Sequence, residues 1–204
     1  GKRISITSGA TGEPVARRRV VANRASGKTG RAVASGCYVA GADVVMIHDG
    51  PDLAYATTER VETAAEMVDA VQTHGPGTDA LIAAEASADY TVEPSSEKIR
   101  SGVEQTLSLT PTPKLVDTVR ETHPDLHIVG FKAETNGEDT ALIAHARALR
   151  ERVGMDFVVA NDAGVMGDEE TRALIVRDQA VHEFTGAKDE LGALIAEELA
   201  TELA

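Results

Sequence analysis

Four arginines and a glycine-containing turn lie close together near the N-terminus, a combination that could bind a phosphate or a carboxylate. The arginines fall within eight positions of one another, at Arg17, Arg18, Arg19 and Arg24. The turn, at 26–29, reads Ser-Gly-Lys-Thr and stands at the start of an expected helix. Backbone N–H groups at a helix start attract anions, and guanidinium groups match their oxygens. We therefore expect an anion site that includes Ser26, Gly27 and Lys28, although a simple helix cap or a solvated basic loop would use the same residues.

A second glycine-containing turn follows the first expected strand. It comes directly after an apolar segment at 3–8 and comprises Gly9, Ala10, Thr11 and Gly12. Small residues let backbone N–H groups approach an anion, but a plain strand-to-helix turn explains two glycines equally well. A dinucleotide in this place would make the chain a nicotinamide-dependent reductase. That alternative is disfavoured, because none of the three tyrosines has the lysine four residues later that short-chain dehydrogenases need.

Two charged residues of opposite sign lie in a long polar segment at 87–105. Asp89 follows an expected strand, and Lys98 comes after Pro94, where the alternation of strands and helices is interrupted. Long loops in compact domains are commonly functional, and a loop cation can close over a polyphosphate and stabilise the charge of nucleotidyl transfer. Taken alone, Lys98 would be an ordinary surface lysine. The six histidines show no metal-ligand spacing, and with a single cysteine no structural zinc site is expected; the ligands of any other metal stay unknown.

The segments that would position these residues alternate between apolar runs and stretches with helical periodicity. This pattern predicts an α/β fold, with a mostly parallel sheet flanked by helices, in one domain spanning 1–204. The segment from the first strand to about residue 25 is expected to be a loop. Ligands of such sheets bind outside the carboxyl ends of the strands, which is where both turns and Asp89 fall. Strands are expected at 3–8, 43–48, 60–63, 79–85, 106–110, 126–132 and 157–160, helices at 26–40, 64–74, 113–122, 138–153 and 188–203, and a C-terminal hairpin at 172–177 and 180–184.

The composition limits the classes of partner and of compartment. There are 33 acidic and 20 basic residues, which gives a formal net charge of −13. Duplex DNA and anionic membranes attract proteins that neutralise phosphate, so we expect no nucleic acid and no membrane as a partner. A single cysteine and the lack of an apolar run of about 20 residues fit a cytoplasmic protein. The acid excess and the 14 arginines against six lysines suggest adaptation to high salt, a hypothesis that equal stability in low and molar salt would contradict.

Six segments together resemble one family, phosphopantothenoylcysteine synthetase, the phosphopantothenate–cysteine ligase of coenzyme A biosynthesis. They occur in the family's order and spacing, at 7–14, 19–30, 63–67, 88–90 with 97–99, 130–135 and 159–162. The resemblance implies a Rossmann-like sheet, a homodimer and a two-step reaction that uses CTP with Mg²⁺. In the first step the carboxylate of 4′-phosphopantothenate attacks the α-phosphate of CTP, which gives an acyl-cytidylate and pyrophosphate. In the second step the amine of cysteine displaces CMP.

The resemblance also implies roles for individual residues. Asn23 holds the acyl-cytidylate, Arg19 assists the second step, and Lys98 acts on the triphosphate or on the intermediate. A third interpretation, a nucleotide-binding module without catalysis, would give Asn23 and Lys98 no task. Contacts with the nucleotide and its phosphates are implied for Gly9, Ala10, Thr11, Gly12, Ser26, Gly27, Lys28, Asp89 and Phe131.

Three positions depart from the pattern of bacterial members. Lys114, which is expected to contact the nucleotide or its phosphates, ends a Thr-Pro-Lys segment where those members have Asn-Pro-Asp. Arg152, or the arginine two positions before it, would replace the lysines that bacterial members carry before the last strand of the family pattern. Glu85 stands where those members have a small residue. In many microbes this domain follows a flavin-dependent decarboxylase. FMN is therefore expected only if such a domain precedes Gly1, and the lack of an initial Met fits excision from a longer bifunctional chain.

Overall fold

The structure is a computed structural model that describes residues 1–96, 99, 101–134, 138–162 and 170–204. The described residues form an eight-stranded sheet, two two-stranded ribbons and five helices. In chain order the elements are β1 (Arg3–Ala10), β2 (Gly12–Ala16), β3 (Arg19–Ala22), α1 (Lys28–Val39), β4 (Asp43–His48), β5 (Thr57–Arg60), α2 (Ala64–His74), β6 (Ala80–Ala86), β7 (Tyr90–Val92), β8 (Leu109–Pro111), α3 (Leu115–Thr122), β9 (His127–Glu134), α4 (Asp139–Val153), β10 (Phe157–Asp162), β11 (Glu170–Val176), β12 (Val181–Ala187) and α5 (Lys188–Glu202).

The large sheet is mostly parallel. Its strand order is β12-β11-β10-β9-β6-β1-β4-β5, and the six strands from β10 to β5 run parallel to one another. The C-terminal hairpin β11–β12 adds two antiparallel strands at one side, before α5 closes the chain. This confirms the predicted fold class. Because β1, β6 and β9 are parallel neighbours, they end together, and the edge where they end at Ala10, Ala86 and Glu134 is called here the carboxyl edge.

Helices cover both faces of the sheet, and aliphatic side chains fill each interface because aromatic residues are scarce. The apolar face of α1 and α5 packs on Ile6, Met46 and Ile82, whereas α2, α3 and α4 pack on the opposite face. Each fully buried aliphatic side chain contributes about 1.5–3 kcal/mol. On α1, burial raises the pKa of the Cys37 thiol to about 12, which keeps it protonated. No helix among the described residues is long and apolar enough to cross a membrane.

The helices α1 and α5 cross at two glycines, where their backbones touch. A Cβ atom added to Gly36 would overlap the carbonyl of Gly192, and one added to Gly192 would overlap the carbonyl of Ala32. A glycine within a helix costs about 1 kcal/mol relative to alanine. Here the close approach allows Leu191 and Ile195 to reach the core, where each is at most 2% exposed.

We expect Gly192→Ala to lower the free energy of unfolding by about 1–3 kcal/mol, because the added methyl group would push the two backbones apart. Chemical denaturation followed by circular dichroism measures this change. Gly12→Ala is the matched control, since its Cβ would meet the nearest side-chain atom, Cβ of Val20, at an ordinary 3.6 Å. Equal stability of the two variants would contradict the close crossing.

The prediction of a loop after the first strand is wrong, because the chain forms the antiparallel β2–β3 ribbon there. Gly12 pairs with Ala22, and the register shifts between Pro14 and Ala16. All four residues of β3 are exposed. The strand β2 contains a proline and β3 is exposed throughout, so neither shows the apolar alternation by which strands are recognised, and the sequence pattern could not identify them.

Other elements differ from the prediction mainly at their ends. The helix α2 and the C-terminal hairpin are confirmed, and the remaining strands move by up to three residues. The N-cap of α1 is Gly27 and not Ser26, and α3 begins at Leu115 with Lys114 as its N-cap, so Pro113 does not open it. A short ribbon, β7–β8, replaces part of the predicted long loop.

Candidate functional site

Glycines bring the end of β1 and the start of α1 into contact at the carboxyl edge. Gly9 and Gly27 have φ angles of +76° and +67°, which glycine adopts without strain. A Cβ on Gly27 would lie 3.4 Å from Cα of Gly9, and the Ser8 hydroxyl donates a hydrogen bond of 3.2 Å to the carbonyl of Gly27. Gly27, the N-cap of α1, has no side chain that could accept a hydrogen bond, so the N–H groups of the first turn beyond Lys28 are available to an anion.

Ser26 and Lys28 flank this glycine and are exposed, as expected for an anion site. The backbone N–H of Lys28 donates to the Ser26 hydroxyl at 3.4 Å, and the Arg31 guanidinium donates to the carbonyl of Ser26 at 3.1 Å. Two cationic side chains therefore stand at the start of a helix whose dipole also favours negative charge. The structure brings together the predicted residues Gly9, Ala10, Ser26, Gly27 and Lys28.

Thr11 and Gly12 have internal partners. The Thr11 hydroxyl is buried and accepts a hydrogen bond of 2.8 Å from the N–H of Ala88. The N–H of Gly12 donates to the carbonyl of Glu62 at 2.7 Å. It is therefore not free to donate to a phosphate, which corrects that part of the prediction. These bonds fix the position at which the β2–β3 ribbon leaves the sheet.

A buried carboxylate anchors the β2–β3 ribbon. Glu13 is 4% exposed; its Oε1 accepts from the N–H of Ala64 at 2.8 Å and its Oε2 from the Thr91 hydroxyl at 2.8 Å. Ala64 is the first residue of α2, where a carboxylate is favourable. The ribbon is thereby held between a helix and the β7–β8 ribbon, and it carries Arg19 and leads directly to Asn23.

Asn23 lies across the carboxyl end of β6. Its Nδ2 donates to the carbonyls of Ala86 at 3.3 Å and Ser87 at 3.0 Å, and its side chain remains exposed. Arg19 is exposed too, and its guanidinium donates to the carbonyl of Ile99 at 3.1 Å. Arg19 thus contacts the segment that carries Lys98, which itself lies outside the described residues.

Asp89 and Lys114 lie beside the end of β6. Thr112 links their segments: its N–H donates to the carbonyl of Asp89 at 2.9 Å and its hydroxyl to the carbonyl of Ala88 at 2.5 Å. Both charged side chains are exposed. Phe131 is half-buried on β9 at the same edge, and packs against the core on the α1 side of the sheet. The contacts of these three residues with a nucleotide stay a prediction.

The prediction for Arg152 is wrong for a site within one chain. Arg152 lies in the last turn of α4, and its guanidinium pairs with Asp117. The helix α4 begins after β9 ends and returns the chain to the start of β10, so its last turn lies at the opposite edge of the sheet. Arg150 lies there too, because its Nε donates to the carbonyl of Asp156 at 3.0 Å, just before β10.

Two further titratable residues at the carboxyl edge were given no functional role from sequence. Glu85, near the end of β6, accepts hydrogen bonds from the hydroxyls of Thr7 and Ser87, and burial raises the pKa of its carboxyl group. His48 ends β4 and is 1% exposed; burial and then the charge of Arg31 lower the pKa of its imidazole, and its Nε2 has no hydrogen-bond partner among the described residues. In the sequence, the only indication of a role for either residue is a polar side chain at or near the end of an apolar strand.

The opposite edge of the sheet holds a cavity of about 340 Å³ between α1 and α5. It is lined mainly by small and aliphatic residues, among them Ile4, Cys37 and Leu199. It lacks the converging polar groups that a phosphate or a nucleotide needs, so the carboxyl edge is the better candidate site. No group of three histidines, cysteines or acidic residues that could hold a metal ion occurs among the described residues.

Comparison with known proteins agrees with this geometry. The family model described as the DNA/pantothenate metabolism flavoprotein C-terminal domain matches residues 1–203. The coenzyme A biosynthesis bifunctional protein CoaBC of Thermococcus kodakarensis is 38% identical over 181 residues, which cover 86% of this chain and 45% of that protein. The chain spans about half the length of the curated relatives it matches.

Two solved structures share the fold. A DNA/pantothenate metabolism flavoprotein from Streptococcus pneumoniae superposes with a TM-score of 0.89 at 21% identity, over 99% of this chain and 100% of that one. The C-terminal domain of a coenzyme A biosynthesis bifunctional protein CoaBC superposes with a TM-score of 0.83 at 27% identity, over 100% of this chain and 96% of that one. The resemblance seen in the six sequence segments is thus confirmed for the family: the chain belongs to the DNA/pantothenate metabolism flavoprotein C-terminal domains.

Proposed function

We propose that the chain joins 4′-phosphopantothenate to cysteine, with CTP cleaved to CMP and pyrophosphate. The observation that carries this proposal is the grouping of an anion-binding helix start, Asn23 and Arg19 at one edge of the sheet. Similarity to proteins named for coenzyme A biosynthesis supports a reaction of that pathway. The family resemblance supplies the finer statement, that an acyl-cytidylate links the two steps.

In the first step a carboxylate oxygen bonds to the α-phosphorus of CTP, and pyrophosphate leaves. The triphosphate would lie against the Gly9 turn and the start of α1, where N–H groups, Lys28 and Arg31 offset its charge. Mg²⁺ would neutralise the phosphates further. A Mg²⁺ ion that arrives on a triphosphate needs few protein ligands, which fits an edge that offers the exposed carboxylate of Asp89 and no larger acidic cluster among the described residues.

In the second step the cysteine amine attacks the acyl carbon and CMP leaves. Asn23 is held by the two carbonyls at the end of β6, so its amide has a fixed position beside the intermediate. Arg19 contacts the Ile99 carbonyl, which places a cation between the β2–β3 ribbon and the segment of Lys98. We propose that Lys98 acts on the triphosphate or on the intermediate.

The proposal is tested by incubating the protein with 4′-phosphopantothenate, cysteine, Mg²⁺ and either CTP or ATP. We expect pyrophosphate release that requires 4′-phosphopantothenate, is faster with CTP, and is followed by amide formation when cysteine is present. Binding of CTP without pyrophosphate release would indicate a nucleotide-binding module. Release without dependence on 4′-phosphopantothenate would contradict its proposed role as the nucleophile of the first step.

We propose that the active form is a homodimer and that it acts in the cytoplasm. We also propose that it is fused to, or associated with, a decarboxylase that carries FMN. The two ribbons contact each other and expose four apolar side chains, Val20, Val21, Tyr90 and Leu109. Burial of exposed apolar surface favours association, so a second copy that covers these side chains would be stabilised. The greater length of the CoaBC relatives supports a fused second half. Light scattering should give the mass of two chains; the mass of one chain would contradict the dimer.

A further inference from the structure

The side chain of Glu85 lies in the candidate site on the face opposite to the phosphate-binding turns. Ile82 of β6 packs in the core beneath α1 and α5, whereas Leu81 packs beneath α2, α3 and α4. Because side chains alternate along a strand, Glu85 shares the face of Leu81. On β1 the same alternation separates Thr7, which contacts Glu85, from Ser8, which contacts the start of α1. The side chain of Glu85 and the start of α1 thus lie on opposite faces of the sheet at the carboxyl edge.

The carboxyl group of Glu85 is held at both oxygens. The Thr7 hydroxyl, which is fully buried, donates to Oε2, and the Ser87 hydroxyl donates to Oε1 at 3.4 Å. Two hydroxyl donors favour the charged carboxylate, while burial opposes it and is the larger effect, so the pKa of Glu85 is raised. A carboxylate of raised pKa accepts a proton more readily at neutral pH than an exposed one.

Glu85 also adjoins the residue assigned to the second step. Asn23 donates to the carbonyls of the two residues that follow Glu85 in the chain, Ala86 and Ser87. Glu85 itself is only half-buried, so a ligand at this end of β6 has access to it. An acyl group held by Asn23 would therefore have its carbonyl carbon close to the Glu85 carboxyl group.

Resting on the proposed function, we infer that Glu85 is a catalytic base of the amide-forming step and receives a proton from the ammonium group of cysteine. The ammonium nitrogen loses one proton to a Glu85 oxygen, and its lone pair then forms the bond to the acyl carbon. The bond between that carbon and the phosphate oxygen breaks, and its electron pair leaves with CMP. The second proton of the nitrogen goes to the departing phosphate.

Other charged groups near this face are engaged elsewhere. They are Lys132 and Glu134 of β9, His145 of α4 and Glu13 of the β2–β3 ribbon. Lys132 and His145 pair with Glu134 at 3.6 Å and 2.6 Å, and Glu13 is bound to Ala64 and Thr91. Among the described residues, no charged side chain contributes to the shifted pKa of Glu85. The pKa of Glu85 therefore depends on burial, on the two hydroxyl groups and on the backbone N–H of Glu85 itself.

The test separates the two steps in the variant Glu85→Gln. We expect pyrophosphate release at the rate of the unchanged protein and amide formation slower by about 100-fold at neutral pH, within the usual range for loss of a general base. The deficit should shrink as the pH rises, because the free amine then forms without a base. Glu121→Gln, an exposed carboxyl-to-amide change on α3, is the matched control and should affect neither step.

A second variant distinguishes catalysis from a structural role. Thr7→Val removes one donor to the carboxylate, so the pKa of Glu85 should rise further and the acidic limb of the amide-forming rate should move to higher pH. Unchanged amide formation in Glu85→Gln at every pH, equal loss of both steps, or an unmoved limb in Thr7→Val would each overturn the inference. Absence of pyrophosphate release by the unchanged chain would instead overturn the proposed function, and the inference with it.

Discussion

Replacement of Asn23 by Asp is expected to leave pyrophosphate release nearly unchanged and to reduce amide formation by about 100- to 1000-fold, the usual effect of removing one preorganised donor. The amide Nδ2 of Asn23 donates to two carbonyls at the end of β6. An aspartate carboxylate cannot donate to either carbonyl, and its charge would be repelled by both carbonyl oxygens. The side chain would turn away from β6, and the acyl-cytidylate would lose a fixed partner.

The two steps are measured separately, pyrophosphate by a coupled assay without cysteine and the amide product by mass spectrometry. The variant should also accumulate the acyl-cytidylate, which mass spectrometry detects directly. Gln72→Glu makes the same amide-to-carboxylate change in the last turn of α2, at the opposite edge of the sheet, and should alter neither step. Equal loss of both steps in Asn23→Asp would show that Asn23 organises the whole edge and not the second step alone.

The fold was predictable where a single local pattern decides the structure. The helix α2 begins and ends at the predicted residues, because Thr63 and Glu66 form a capping box that can be read from the sequence. The C-terminal hairpin was predictable for a similar reason, since two apolar runs flank a short polar turn at 178–179. Because adjacent parallel strands end at the same edge of a sheet, the predicted strands are sufficient to place the two glycine turns and Asp89 together at one edge.

The parts of the site that could not be predicted depend on contacts between distant segments. Glu13 holds the β2–β3 ribbon through hydrogen-bond partners that are 51 and 78 residues away in the sequence. A local sequence pattern does not predict hydrogen bonds between such distant residues. Arg152 was placed at the nucleotide by resemblance alone, although a helix that follows a parallel strand returns its last turn to the opposite edge. Glu85 stands where bacterial members have a small residue, but its proposed role depends on the hydroxyl of Thr7, 78 residues earlier.

Replacement of Gly30 by alanine is expected to slow pyrophosphate release by about 100-fold, because it would displace the phosphate-binding turn. A displacement of about 1 Å at a reacting centre can have an effect of this size. Gly30 is the third residue of α1 and is buried. Its added Cβ would overlap Oγ and Cβ of Ser8, so the start of α1 would have to move away from the end of β1. Overpacking of this kind should also lower the free energy of unfolding by about 1–3 kcal/mol.

The double variant Ser8→Gly/Gly30→Ala tests this cause. Ser8→Gly removes both overlapping atoms and leaves Cα of Ser8 at 3.4 Å from the added methyl group, a distance that needs little adjustment. Ser8→Gly alone loses the hydrogen bond to Gly27, at a cost of about 0.5–1.5 kcal/mol. The double variant should nevertheless be more stable than the sum of the two changes predicts, and should regain most of the pyrophosphate release. Additive losses in stability and rate would mean that the helix start and the β1 turn are not in contact, and the anion site would then have to be sought elsewhere.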